Sequence, residues 1–594
     1  MIIFPTTFSS ATRLRYAVAL AFEQAAFVAL TLLALGFAFE WVQPLVGIEG
    51  ILAITNVEAL LGLTIGSWLL ACLAAGRWPR RPAGLTTPIV LWLAVLVASL
   101  STASDYHLEA IKFLSRVANG VLVGWATYDL ARTPARLRGL ARAMAMAGLI
   151  VAGLGLAEVA DVEPFVKWLA GFKQSPTYFG DFIRLSATLG YANIAAQVLE
   201  LTLPLALAWA LTVRNLLGRF LINLALLAGL SALVLTLSRA GVIGLLAGIG
   251  LMLSVSAWQG RRVIVIGSLR TIGLLLAVVL AIFINTPLLI TQRLTSETDK
   301  IGYIAVYQAP QNLTARTGET LTILVELTNA GVGSWHVTRP PVFKLGYHLT
   351  RTNGTLVDYN GRHTALSTNV SPGQTIDVIA RLDAPHEAGD YLIEWDMVHE
   401  TVTWFSWKGT PTALTHLTVV SEPNVNHKPF QPPSSPSTDR PDVTPGVGRL
   451  ALWQTAWLMV IDRPLLGVGP DSFRWAYGRY AGVKEWNTDI HANSLYIEWL
   501  ADTGVLGLVA FLWLTWRLGR RVAEGATLEH SQKNGLGIWW LALAASLSTW
   551  FVHGLFDYFY EFTPTNVAFW LVTGLTLRAV DLMKHRGTHH ANWI

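Results

Sequence analysis

The sequence predicts a polytopic α-helical membrane protein of about twelve spans, with an all-β sandwich inserted into one large loop outside the membrane. Three observations carry that prediction. Of 594 residues, 53% are hydrophobic and only 14% are charged, too apolar a balance for one soluble globule. Apolar runs long enough to cross a bilayer, about 20 residues each, recur along both ends of the chain. Between residues 305 and 420 the runs shrink to strand length and alternate with polar residues.

The spans are expected near residues 28, 63, 93, 119, 147, 201, 227, 248, 275, 506, 547 and 570. Their orientation follows from charge. The basic clusters "RWPRR" (77–81), "ARTPARLRGLAR" (131–142), "VRNLLGR" (213–219), "QGRR" (259–262) and "RLGRR" (517–521) fall in every second connection, with the basic C-terminal tail on the same side. The positive-inside rule makes these loops and both termini cytoplasmic. The connections near 41–50, 101–107, 159–189, 237–240, 287–494 and 557–564 are then extracytoplasmic.

This divides the chain into an N-terminal transmembrane bundle of about nine helices (1–290), the β-sandwich (305–420), a Pro/Ser-rich linker (421–446), a loop with an amphipathic helix (447–494), C-terminal transmembrane helices (495–580) and a cytoplasmic tail (581–594). Strand-like runs such as "TLTILVELTNAG" and "TIDVIARLDAPHEAGDYLIEWDMV", broken at "TNGT" and "SPGQ", suggest an immunoglobulin-like sandwich without a disulfide. The lone Cys72 allows no intrachain bridge. The 24 tryptophans suit membrane interfaces or a sugar-binding surface. Trp335, Trp395, Trp404 and Trp407 in the sandwich are candidates for stacking on sugar rings, with at least one expected in its core. Basic residues in short clusters, rather than along one stripe, argue against nucleic acid as a partner despite a net charge of +5.

The polar residues hardest to explain as membrane structure fall on the outer side. Arg239 in "TLSRAG" separates two apolar runs, either as a snorkelling side chain or as an anion site. Arg184 in "RLSATLGYAN" supplies a second fixed charge, with Tyr191 and Asn193 as neutral donors or interface anchors. Two guanidinium forks suit a pyrophosphate. Lys112 and Arg116 lie four residues apart on one helical face, where Glu109 can neutralise Lys112. His553 and Asp557 share a face in the same way, so the carboxylate can orient the ring or merely close a helix end. His491, with Asn493, precedes a span beginning near Ser494, and histidine is the side chain suited to take a proton near neutral pH. The histidines of the C-terminal tail lack the partners of a spaced metal site, and no metal or other cofactor is expected.

The stretch "WQTAWLMVIDRPLLGVGPDSFRWAYGRY", followed by "HANSLYIEWLADTGVLGLVAFL", resembles the signature region of the O-antigen ligase and Wzy polymerase superfamily; "RLSATLGYAN" and "TLSRAG" resemble its upstream arginine motifs. The resemblance implies a metal-independent GT-C-like glycosyltransferase in a bacterial plasma membrane. Such an enzyme passes a glycan from an undecaprenyl-pyrophosphate carrier to an acceptor hydroxyl on a glycolipid, glycan or protein at the extracytoplasmic face. It also implies the roles: Arg184 and Arg239 on the pyrophosphate, His491 with Asn493 at the acceptor. The inserted sandwich departs from the mostly helical outer loop of the family. A Wzy-type polymerase shares the chemistry. A flippase or transporter of a lipid-linked sugar is the rival of another class, favoured by Glu23, Glu58 and Glu200 inside apolar runs. An envelope scaffold needs none of the arginines.

Overall fold

The computed structural model describes residues 10–48, 52–103, 105–173, 177–179, 182–285, 303–331, 333–337, 342–359, 361–400, 403–406, 410–421, 449–482, 488–528 and 535–584. Most of the expected linker, the end of the expected cytoplasmic tail and Trp407 lie outside them.

In lipid, backbone groups must be satisfied within the segment itself, so the apolar runs become helices. The N-terminal part is α1 (Ser10–Gly36), the ribbon β1 (Val46–Ile48) and β2 (Leu52–Ile54), α2 (Asn56–Ala74), α3 (Thr86–Ser99), α4 (His107–Leu130), α5 (Pro134–Val159), α6 (Glu163–Leu169), the hairpin β3 (Thr177–Phe179) and β4 (Phe182–Arg184), α7 (Ala192–Thr212), α8 (Leu216–Leu235), α9 (Arg239–Trp258) and α10 (Arg262–Asn285). Several starts are encoded by caps. Thr55 and Glu58 form a reciprocal capping box, Thr133 caps ahead of Pro134, and Ser238 accepts from the Gly241 N–H.

Ten helices among the described residues are long and apolar enough to cross a membrane, making this a multi-pass membrane protein. The sequence suggested twelve. The other two positions are helical but differ in kind: α3 has only 14 residues, and α4 carries Glu109, Lys112, Arg116 and Asp129. Tryptophan serves two purposes: Trp78 and Trp258 are exposed, at 82% and 71%, while others are drawn inside. Trp68, Trp92, Trp499, Trp539 and Trp550 are enclosed in the bundle, and Trp92 packs on Trp499 at 5.3 Å between ring centroids. Large rings fill the space that helices of this length leave between them.

The inserted β domain has two sheets. Its strands are β5 (Ala305–Gln308), β6 (Asn312–Arg316), β7 (Thr320–Asn329), β8 (Phe343–Arg351), β9 (Leu356–Asp358), β10 (Thr364–Ala365), β11 (Thr375–Asp383), β12 (Gly389–His399), β13 (Thr403–Trp404) and β14 (Ala413–Val420). One sheet runs β10-β8-β12-β14-β6, with the short β9 also pairing β8 and β13 also pairing β12; the other runs β11-β7-β5. Alternation places Val325 and Leu327, Leu345 and Tyr347, and Ile393 and Trp395 in the shared core. The proposed sugar-stacking tryptophans are used differently: Trp335 and Trp395 are 0% exposed and Trp404 5%, and Trp395 Nε1 donates to Thr415 at 2.9 Å. A domain this small needs its largest rings inside.

After the insertion, α11 (Arg449–Asp462), where the sequence suggested an amphipathic helix, buries Leu452, Ala456 and Met459 and exposes the equally apolar Leu450, Trp457, Leu458 and Ile461. It is followed by α12 (Phe473–Ala481), α13 (Leu495–Leu528), α14 (Leu536–His553) and α15 (Thr563–Lys584). The span expected from Ser494 is broken at Gly504, where φ 65° and ψ −169° interrupt α13. Those angles are open only to glycine. The break lets "PLLGVG" dock alongside: Val505 N donates to Pro464 O, Val468 N to Ala501 O and Gly469 N to Asp502 O, at 2.9, 3.0 and 2.9 Å. A Cβ at Gly467 (φ 66°) would stand 2.3 Å from the Asp502 carbonyl carbon. The repeated glycines of this motif are therefore what a backbone-to-backbone seam requires.

Candidate active site

Arg184 ends β4, and two features pin the loop after it. Leu185 N donates to Leu235 O at 3.1 Å, and Glu158 accepts from the N–H groups of Ser186 and Ala187 at 3.2 and 2.7 Å. Lys173 closes this knot, pairing with Glu158 and donating to Ser186 Oγ at 2.7 Å. Burial pulls the Lys173 ammonium below the usual lysine range against the opposing pull of Glu158. Arg184 Nε donates to Thr236 O at 2.9 Å, and its Nη2 donates to Asn193 Oδ1 at 2.8 Å. Both of these acceptor oxygens are neutral, and the two bonds orient the guanidinium. Arg239 stands three residues beyond Thr236, at the first position of α9.

The chain of contacts continues from Asn193, whose amide donates to Asp557 Oδ2 at 2.6 Å. Burial raises the Asp557 carboxyl above its usual range, although the Tyr558 N–H, Arg449 and Asn193 oppose it. The adjacent Tyr558 stacks on His491, with centroids 4.8 Å apart. His491 lies between two carboxylates: Nδ1 meets Glu498, and Nε2 meets Glu561 Oε2 at 2.6 Å. Arg474 then bridges Glu561 Oε1 and Asp471 Oδ2, at 2.8 Å to each. Asp502 accepts from Phe473 N at 2.7 Å and Asp471 N at 3.1 Å, holding the start of α12 to the kink in α13.

The structure thus strings Arg184, Asn193, Asp557 and His491 along one set of contacts that passes through the adjacent Tyr558, with Arg239 three residues after Thr236 in the chain. Of the five positive-φ non-glycine residues among the described ones, four, Ala187, Leu237, Asp471 and Asn493, lie on the segments that carry it. Tyr191 is 48% exposed and feels the charges of Glu561, Asp489 and Arg474. Arg116 acts on Glu561 from α4. Lys112 donates to Glu109 at 2.8 Å, the neutralised arrangement. The His553 ring pairs with Glu200 at 3.0 Å rather than with Asp557, which Asn193 occupies.

Sequence reading missed Arg474, Glu498 and Glu561. The signal for Glu561 was its place four residues after Asp557 in "DYFYEF"; Glu498 and Arg474 belong to motifs quoted for their other residues.

Burial works to lower the basicity of His491, but attraction to Glu498 and hydrogen bonds to Glu498 and Glu561 overcome it and hold the ring well above the usual histidine range. The matching carboxylate, Glu561, lies below its usual range: burial raises it, but His491, Arg474 and Arg116 outweigh that. A raised folded value means the stabilisation from these ion pairs is complete below the unfolded value of about 6.5 and is lost as pH rises through the folded value. The thermal-stability difference between wild type and His491→Gln is therefore expected to shrink as pH is raised above neutral. A difference that grows with pH would contradict a charged ring. Asp471, His491 and Glu498 bring ligand atoms within 4.8 Å of one another. Both nitrogens of His491 meet carboxylates, and Asp471 Oδ2 pairs with Arg474 at 2.8 Å.

Comparison with known proteins agrees with the motifs. No curated relative matches the chain. Among solved structures it is similar to Pseudomonas fluorescens alkylpurine DNA glycosylase AlkC bound to DNA containing an abasic site analog, at 12% identity over 57% of this chain and 99% of that one. The TM-score of 0.13 carries no argument about fold or function. Residues 403–512 match the family model Wzy_C, O-antigen ligase, a segment that holds Arg474, His491 and Glu498. One segment of this multi-pass membrane protein is thus similar to the O-antigen ligase family.

Proposed function

We propose that the protein is a membrane glycosyltransferase of the O-antigen ligase type. It moves a glycan from an undecaprenyl-pyrophosphate carrier to an acceptor hydroxyl at the extracytoplasmic face, in cell-envelope polysaccharide biosynthesis. The observation that carries this reading is the continuous contact set from Arg184 through Asn193 and Asp557–Tyr558 to His491, most of it at helix ends and in loops. Arg184 and Arg239 hold the pyrophosphate and stabilise the charge that grows on it as it leaves. His491, with Asn493 two residues on, organises the acceptor side. The inserted β domain, read as immunoglobulin-like and outside the membrane, braces the outer loop, since its described tryptophans are enclosed.

An apolar cavity of ≈ 560 Å³ between α9, α13 and α14 supports the lipid part of this reading. It is lined by Leu251, Val255, Tyr496, Trp516, Leu541 and Phe551. Tyr496 lies five residues after His491, so an isoprenoid chain in the cavity would start close to the site.

Transport of a lipid-linked sugar is the second reading, favoured by the Glu200–His553 pair, 0% exposed inside the bundle. The other acidic residues that suggested transport have structural duties: Glu23 pairs with Arg132 and Arg136, and Glu58 completes a cap.

The test uses purified protein in liposomes with an undecaprenyl-pyrophosphate oligosaccharide and separate acceptors, a glycolipid core and a second copy of the repeat unit. A new glycoconjugate made without nucleotide sugar supports transfer, and the acceptor consumed separates ligase from polymerase. Passage of the intact carrier across the bilayer, with no bond broken, would instead establish the flippase.

A further inference from the structure

Both ring nitrogens of His491 are engaged by carboxylates, Glu498 at Nδ1 and Glu561 at Nε2. An imidazole ring with two N–H donors has no lone pair left with which to take a proton. The three side chains also differ in access to the surface: Glu498 is 0% exposed, His491 8% and Glu561 20%. Glu561 is thus the outermost member of the row. Its Oε2 meets His491 and its Oε1 meets Arg474 at 2.8 Å. Each carboxylate oxygen offers about two acceptor sites, so Glu561 retains room for a further hydroxyl donor.

We infer that Glu561 is the catalytic base that takes the proton of the acceptor hydroxyl, while His491 and Glu498 are positioning residues that hold it. This inference rests on the transferase reading and names a residue outside the segment matched by the O-antigen ligase model. In the step, the acceptor oxygen forms a bond to the anomeric carbon as the bond from that carbon to the pyrophosphate oxygen breaks. The electron pair leaves with undecaprenyl pyrophosphate, and the hydroxyl proton passes to the Glu561 carboxylate, which returns it to water. No oxidant, reductant or further reactant is needed.

The surroundings suit the task. Glu561 is faced by His491 and Tyr558, by Arg474 and Asp471 at the start of α12, by Arg116 from α4 and by Tyr191 ahead of α7. The cations keep it ionised in the free protein. A bound pyrophosphate adds negative charge among the same cations and raises the proton affinity of the carboxylate, moving it towards what a general base needs.

The test compares Glu561→Gln, Glu561→Ala and Arg184→Ala in the liposome transfer assay, with thermal unfolding as the check on folding. Glu561→Gln keeps the size of the side chain and an acceptor for His491. It is expected to lower kcat by about 10²- to 10⁴-fold while the donor KM changes by less than about threefold. Formate, a small exogenous carboxylate, is expected to restore part of the activity of Glu561→Ala, which a purely structural role would not allow. If Glu561→Gln transfers at the wild-type rate while Arg184→Ala fails, the transferase reading stands and the Glu561 assignment is wrong. Absence of rescue together with a donor KM that rises as far as kcat falls would also overturn it. Absence of transfer by the wild type removes both readings.

Discussion

Arg184→Ala and Arg239→Ala are each expected to lower glycan transfer by on the order of 10²- to 10³-fold, the loss seen when one preorganised donor to a developing oxyanion is removed. The two residues come from different elements, the end of β4 and the start of α9, and the turn at Thr236–Ser238 joins them. The Arg184 bonds to Thr236 and Asn193 are ones that water can replace at a half-buried site. Arg184→Lys should recover only part of the loss, because an ammonium cannot present the two parallel donors of a guanidinium. The measurement is kcat/KM for the lipid-linked donor alongside unfolding temperature. Loss of activity only in proportion to loss of folded protein would show that the arginines are structural.

Lys173→Met is expected to be the most destabilising single change near the site. Lys173 and Glu158 have side chains only 4% and 2% exposed. Removing the ammonium strands a buried carboxylate that also accepts from Ser186 and Ala187. Breaking one side of such a pair typically costs about 3–5 kcal/mol. The loop it anchors begins at Arg184, and Ala187 within it has φ 51°. Donor affinity should therefore fall along with stability. Thermal unfolding and donor binding measured on the same preparation check this, and an unchanged melting temperature would contradict it.

The helical bundle and the inserted β domain were legible because both rest on periodicity and run length, which are local. Arg184, Arg239, Asn193, Asp557 and His491 were legible as polar groups at the ends of apolar runs. What the sequence concealed was pairing. His553 and Asp557 lie four residues apart, yet the ring turns to Glu200 on α7 and the carboxylate to Asn193, partners more than 350 positions away. Gly504 reads as one more helical residue until Leu465 is seen pressing on it, where a Cβ would lie 2.4 Å from the Leu465 carbonyl carbon. The tryptophans carried no indication of which ones the core would claim. Glu561 was passed over because its role depends on His491, which reaches it across 70 residues of chain.

Glycan transfer is tested most simply by quantifying, by mass spectrometry, the products of a single reaction of purified protein, lipid-linked oligosaccharide and acceptor. Glycoconjugate and free undecaprenyl pyrophosphate are expected to appear in equal amounts, and both to disappear together in Arg184→Ala. Intact lipid-linked donor recovered in full, with no pyrophosphate carrier released in the presence of every acceptor, would contradict it.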